Sequence, residues 1–162
     1  MKSTFIFDLD HTLIDSSHRQ LTLADGSLDL ANWIDNCTRE KIFADTIITP
    51  MFEQFCALKR LQKMVGISVI ACTARVMSDH DHDYLLKNGL HFDAVLSRPI
   101  GCKDSDHLLK ERLLRNHAFF NGFKFEKFAR ISTMVDDNLK VLSHLRTLGF
   151  HTINATTNKV EL

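Results

Sequence analysis

The chain has 162 residues, enough for one domain that buries roughly 70% of its unfolded surface without disulfide or metal staples. Its 20 basic and 20 acidic residues cancel to zero net charge, which excludes a protein that coats nucleic acid non-specifically, because that role needs a cationic excess. No apolar run reaches the roughly 18 residues of a membrane span, and Cys37, Cys56, Cys72 and Cys102 form no C-x-x-C pair, so a cytoplasmic chain with reduced thiols and no membrane partner is expected.

In chain order, Ser3–Asp8 is short, apolar and ends in carboxylates, so it predicts a buried strand. His11–Asp45 breaks the pattern with mixed charge and Trp33, and is expected to form a small flap or cap within one domain spanning 1–162. Thr49–Val65 carries Met51, Phe52, Phe55, Leu58, Leu61 and Met64 at helical spacing, with Pro50 at its start and Gly66 at its end. Ile67–Cys72 predicts a strand, Ser78–Asn88 a helix stopped by Gly89, and Phe92–Leu96 a strand. Ser105–Asn116 predicts a helix, Arg130–Val135 a strand, Asn138–Leu148 a helix and Phe150–Asn154 a fifth strand. Thr156–Leu162 is expected to be loosely held. Strands alternating with helices imply an α/β fold: a three-layer, doubly wound, mostly parallel five-stranded sheet. Right-handed crossovers then bring every strand's C-terminal end to one edge, where ligands bind.

The polar residues gather at that edge. Asp8 and Asp10 leave the first strand, Thr73 the second, and Asp136 and Asp137 the fourth. Phosphoryl transfer needs a nucleophile, a proton donor for the leaving oxygen, a cation, and donors for the equatorial oxygens. Asp8 suits the nucleophile, forming an aspartyl-phosphate, and Asp10 the general acid and base. A hard cation such as Mg2+ would sit among Asp8, the backbone carbonyl of Asp10, Asp136 and Asp137. Thr73 would hold a phosphoryl oxygen, and Lys110 would neutralise charge and fix Asp8. Singly each signal is weak: a D-x-D recurs by chance, and acids are common at helix starts. Their joint order and placement carry the reading.

That order, Asp8-x-Asp10-x-Thr12, Thr73, a helical Lys110 and Asp136-Asp137, resembles the haloacid-dehalogenase superfamily of phosphotransferases over nearly the whole chain. His11 stands where that superfamily more often has glycine. A narrower resemblance is to the 3′-phosphatase domains of bacteriophage polynucleotide kinases. Arg19 lies nine positions after Asp10, Arg75 follows Thr73, Asp106 precedes Lys110 by four, and Asp45 and Pro50 precede the first long helix. The resemblance implies substrate-binding roles for Arg19, Arg75, Thr12 and Asp106, with Asp106 orienting Lys110 from one helix face. It implies a Mg2+-dependent phosphomonoesterase acting on a 3′-phosphorylated nucleic-acid end, in a host cytoplasm if phage-encoded. No G-x-x-x-x-G-K-[ST] loop is present, so a stand-alone phosphatase is expected, with any kinase or ligase partner separate. Small stand-alone relatives of the superfamily often act on nucleotides, so a nucleotidase is the alternative. A non-catalytic module that binds phosphorylated ends or proteins is the competing class, and its signature would be loss of Asp8, Asp10 or Lys110.

Other features invite readings of their own. The run Asp79-His80-Asp81-His82-Asp83 alternates at a period that shares no helix face, so it reads as a charged helix start and not a metal site. His18 adjoins Arg19 and is a lesser substrate candidate. Phe119, Phe120, Phe123, Phe125 and Phe128 read as packing of a short helix. Trp33 is the better candidate for base stacking, against the plainer reading of a local core residue.

Overall fold

The computed structural model describes residues 2–21, 23–24 and 29–161. The chain opens with β1 (Thr4–Phe7). An insert then holds β2 (Ile14–Asp15), a 3-10 turn at Ser17–Arg19, α1 (Leu30–Asp35) and α2 (Arg39–Phe43), and returns through β3 (Thr46–Ile47). There follow α3 (Thr49–Val65), β4 (Ser68–Cys72), α4 (Asp79–Lys87), β5 (Val95–Leu96), α5 (Asp106–Phe120) and α6 (Phe125–Arg130). The chain ends with β6 (Ser132–Asp136), α7 (Leu139–Thr147), β7 (His151–Asn154) and β8 (Lys159–Glu161).

The main sheet runs β5-β4-β1-β6-β7-β8, parallel throughout except for β8. Its central strands are apolar on both faces because helices cover both. Phe7, Val69, Ala71 and Val135 face Met51 and Phe55 of α3 and Tyr84 and Leu85 of α4. Ile6, Ile70, Cys72 and Met134 face Leu114 and Ala118 of α5, Phe128 of α6, and Val141, Leu142 and Leu145 of α7. Phe55 meets Phe7 edge-on at 5.8 Å and Phe92 at 5.0 Å. Truncating Phe55 to alanine would remove about 3–5 kcal/mol. This is the expected α/β sandwich, and all four cysteines are free. No helix among the described residues is long and apolar enough to cross a membrane.

Three elements differ from expectation. β5 is only Val95–Leu96, since Phe92 leaves the sheet to pack on Phe55. α5 runs on to Phe120, leaving Phe119 and Phe120 exposed while Phe123 and Phe128 stack against the sheet layer. The segment after β7 is not loose. Asn154 accepts from the N–H of Thr156 at 2.9 Å, and the turn returns β8 antiparallel along β7. Leu162, at the end of that segment, lies outside the described residues.

The insert is tied down at both ends. β2 and β3 pair antiparallel, Ile14 beside Ile47, so the insert leaves and rejoins the sheet's C-terminal edge as a flap. Asp29 caps α1 through the N–H of Asn32, and Thr38 caps α2 through the N–H of Lys41. His11 starts the turn in the left-handed region at φ 58°, which explains why a glycine suits this position.

Candidate active site

Register alone brings the acidic groups together. Phe7 pairs with Ala71 on one side and Val135 on the other, so Asp8, Cys72-Thr73 and Asp136 emerge side by side. Asp8 is fixed by its N–H, which donates to the carbonyl of Val135 at 2.9 Å.

Lys110 arrives from α5 and is buried. Its Nζ donates to Asp136 Oδ2 at 2.7 Å and lies 3.0 Å from Asp8 Oδ1, out of line for a hydrogen bond. Burial opposes its charge, but Asp136 and Asp8 hold its pKa above the usual lysine range, so Lys110 is a cation. Burial pushes the Asp8 carboxyl well up, and Asp136 and Asp10 add to this against the pull of Lys110. Asp137 is also raised, by burial and by Asp136. Asp136 Oδ1 accepts from the N–H of Asn138 at 2.9 Å.

One carboxylate oxygen each from Asp8, Asp136 and Asp137 lies within 4.8 Å of the others. Asp8 Oδ1 is buried and accepts no hydrogen bond. A bare buried oxygen among three carboxylates, with one lysine to offset them, is a donor set that fits a hard divalent cation such as magnesium. The Asp10 carboxylate is not among these oxygens and is taken up by Arg75, so any contribution from Asp10 would come through its backbone carbonyl.

Asp10 instead faces Arg75, whose NH2 and Nε reach its two oxygens at 2.6 and 3.2 Å, and it accepts from Ser16 Oγ. Burial would raise its pKa, but Arg75 and Ser16 prevail and hold it below the usual carboxylate range. Arg75 also reaches Asp81 at 2.7 Å and Asp45 at 3.3 Å. Asp45 in turn takes Arg19 Nε and NH2 at 2.9 and 2.8 Å and His18 Nε2 at 2.9 Å. A buried charge network therefore joins the flap to the Asp10 carboxylate.

These contacts revise several expectations. Arg19 does not face the cleft. Its side chain is fully buried, chelated by Asp45 and laid over Trp33 at 4.1 Å. Trp33 is correspondingly only 4% exposed and presents no open face for a base; it is local core. Asp106 does not orient Lys110. It pairs with Arg98 at 2.8 Å, because Lys110 has turned inward to Asp136 and Asp8. Thr12 is fully buried in the turn, so it does not reach the substrate surface, and its hydroxyl has no partner. Thr73 is buried at the strand end, where its Oγ1 accepts from the N–H of Arg75 at 3.1 Å and keeps its own proton to donate.

Sequence reasoning missed two residues. Arg98 holds the loop after β5 through the carbonyls of Ala74, Cys102 and Asp104. Nothing in its spacing announces this. Asp81 belongs to the run that reads as a charged helix start, and it does close a capping box with Ser78 there, but it is also buried and anchors Arg75. The Ser-x-x-Asp spacing at the helix start was the available signal.

Above the carboxylates opens a cleft of about 890 Å³. It is lined by Asp8, Asp10, Lys110 and Asp137, by Gln20 and Ile34 from the flap, and by Arg98 and residues 101–107.

Comparison with known proteins places this geometry. The model of the bacteriophage T5 5′-deoxynucleotidase family matches residues 1–161. The 5′-deoxynucleotidase of Escherichia phage T5 is 30% identical over 164 aligned residues, 93% of this chain. The chain spans 66% of that relative's length, just under two thirds. A haloacid dehalogenase-like family protein from Streptococcus pneumoniae superposes with a TM-score of 0.64 at 12% identity, covering 94% of this chain and 84% of that one. A chain of the Pnkp1/Rnl/Hen1 RNA repair complex superposes with a TM-score of 0.57 at 21% identity, covering 93% of this chain and 41% of its own length. The fold is therefore that of the haloacid-dehalogenase hydrolases.

Proposed function

We propose that this chain, which belongs to the bacteriophage T5 5′-deoxynucleotidase family, hydrolyses the phosphomonoester of deoxynucleoside 5′-monophosphates. The observation that carries the reading is the family match over residues 1–161 on a chain whose Asp8, Asp10, Lys110 and Asp136-Asp137 converge at one sheet edge. This order of preference reverses the one the sequence suggests, in which a nucleic-acid 3′ end stood first and a nucleotide second.

Asp8 attacks phosphorus to give an aspartyl-phosphate, and the bond to the 5′-oxygen breaks. Asp10, ionised and held by Arg75 in the free protein, takes up a proton when the phosphate dianion binds beside it, gives that proton to the leaving 5′-oxygen, and then takes one from the water that hydrolyses the intermediate. Lys110 neutralises the oxygens and, through Asp136, stays fixed beside Asp8. Arg75 holds the Asp10 carboxylate in place. Magnesium, held by Asp8, Asp136 and Asp137, would supply further neutralisation of the phosphoryl charge. The cleft is large enough for a mononucleotide, since small-molecule sites span roughly 300–1,000 Å³. Asp8, Asp10 and Lys110 are all present, which favours turnover over a binding module.

A second reading, a polynucleotide 3′-phosphatase working beside a separate kinase or ligase in a host cytoplasm, draws on the fold shared with the RNA repair complex. The two arginines that suggested it are committed elsewhere: Arg19 to Asp45, and the buried Arg75 to Asp10, Asp81 and Asp45. Rates on a deoxynucleoside 5′-monophosphate, a 3′-mononucleotide, and oligonucleotides phosphorylated at the 5′ or 3′ end separate the two. The 5′-mononucleotide should lead by roughly tenfold or more. A lead for the 3′-phosphorylated oligonucleotide would replace the first reading with the second.

A further inference from the structure

His11 holds a left-handed backbone, φ 58°, that glycine adopts without strain and a residue bearing a Cβ does not. A side chain kept at such a position beside a reactive centre points to a role for that side chain. The ring is exposed and borders the cleft together with Asp8, Asp10 and Asp137. It is also anchored. His11 Nε2 lies 2.9 Å from Gln20 Oε1, Gln20 Nε2 donates to Ser16 Oγ at 2.9 Å, and Ser16 Oγ donates to Asp10. The direction of that chain sets the tautomer. Gln20 spends its amide N–H on Ser16, so its oxygen faces His11, and His11 Nε2 is the donor. In the neutral imidazole, Nδ1 then carries a lone pair that no protein group takes up among the described residues.

We propose that His11, held by Gln20, is the specificity-determining residue for the sugar of the leaving nucleoside, with Nδ1 accepting a hydrogen bond from its 3′-hydroxyl. This inference rests on the nucleotidase reading and deepens it. Asp10 must touch the 5′-oxygen to protonate it, and His11 is its chain neighbour on the open side of the cleft. The 3′-hydroxyl is the first hydrogen-bond donor met along a deoxynucleoside beyond that oxygen. In a 5′-phosphorylated oligonucleotide the same oxygen is esterified and has no proton to donate, so the contact selects mononucleotides.

The test compares kcat/KM for a 2′-deoxynucleoside 5′-monophosphate and its 2′,3′-dideoxy counterpart, in wild type, His11→Gly and Gln20→Ala, with p-nitrophenyl phosphate as a reference substrate. His11→Gly relieves the backbone strain, so loss of folding does not obscure the result. Wild type should prefer the hydroxylated substrate roughly 5- to 10-fold, the size of one neutral hydrogen bond. His11→Gly should lose that preference, and Gln20→Ala should weaken it by freeing the ring. A wild type that hydrolyses nucleotides without regard to the 3′-hydroxyl, or a His11→Gly that keeps the preference, overturns this inference and leaves the nucleotidase reading standing. A wild type that hydrolyses p-nitrophenyl phosphate but no nucleoside monophosphate overturns both.

Discussion

Lys110→Met removes the one cation between two buried carboxylates. Lys110 Nζ lies 2.7 Å from Asp136 and 3.0 Å from Asp8, and its side chain is 2% exposed. Methionine fills similar volume, so the loss is chiefly electrostatic. Leaving buried charge without its partner costs about 3–5 kcal/mol, a large part of a typical domain's total stability of about 5–15 kcal/mol. The penalty depends on pH. Without Lys110 the Asp8 carboxyl, already raised by burial, rises further. A carboxyl whose folded pKa exceeds its unfolded value near ~4 contributes stability below that value and loses it as pH climbs towards the folded pKa. The variant should therefore lie nearest to wild type in acid and furthest from it at neutral pH and above. Urea titration in chelator at acid and at mildly alkaline pH measures this, read through the fluorescence of Trp33, the only tryptophan. With a slope of about 2 kcal/mol per molar urea, the midpoint should fall by roughly 1.5–2.5 M at the higher pH. A fall under about 0.5 M there, or an equal fall at both values, would refute the account of Lys110 as the counter-charge.

Arg19→Ala should destabilise the protein by about 3 kcal/mol, because it leaves Asp45 buried beside a reduced set of donors; thermal unfolding measures this, and an unchanged midpoint would return Arg19 to the substrate-binding role its sequence spacing suggested. Tyr84→Phe should cost about 1–2 kcal/mol, since Tyr84 Oη donates to the buried carbonyl of Asp45 at 2.9 Å. Burial and Asp45 push the tyrosine up to about 12, so its contribution is whole below the unfolded value near ~10 and fades as pH rises through about 12. The variant should lack that part of the alkaline decline in stability, and an identical alkaline profile would count against the contact. Chelation should stop phosphate release and added magnesium should restore it, because Asp8, Asp136 and Asp137 otherwise hold an uncompensated excess of charge; full activity in chelator would remove the cation from the scheme.

How far the sequence foretold this arrangement depends on the range of the interaction involved. β1, β4, β6 and β7 are short apolar runs because helices cover both faces, and that pattern is local. Asp8 and the Asp136-Asp137 pair were visible for the same reason: each follows an apolar strand, and parallel pairing fixes where strand ends meet. β8 escaped because Lys159-Val160-Glu161 has one apolar residue and pairs only along an edge. The flap's helices escaped because α1 and α2 hold six and five residues, too few to display a period. Charge pairing was the least legible. Spacing on one helix suggested that Asp106 would orient Lys110, yet Lys110 pairs with Asp136 across 26 residues and Arg75 with Asp10 across 65. Which buried acid meets which buried base follows from how strand ends converge, and spacing along the chain does not record it. Arg19 shows the same limit. Its distance from Asp10 marked it as part of the site, but only the fold shows that it serves Asp45.

The central claim is that Asp8 carries the phosphoryl group of a deoxynucleoside 5′-monophosphate during turnover. Rapid acid quench during hydrolysis of such a substrate, followed by proteolysis and mass analysis of the peptide containing Asp8, tests it directly. The account predicts one phosphoryl group on Asp8, present in wild type and absent in Asp8→Asn, which should be folded but inactive. An unmodified Asp8 peptide during active turnover, or appreciable phosphate release by Asp8→Asn, would contradict it.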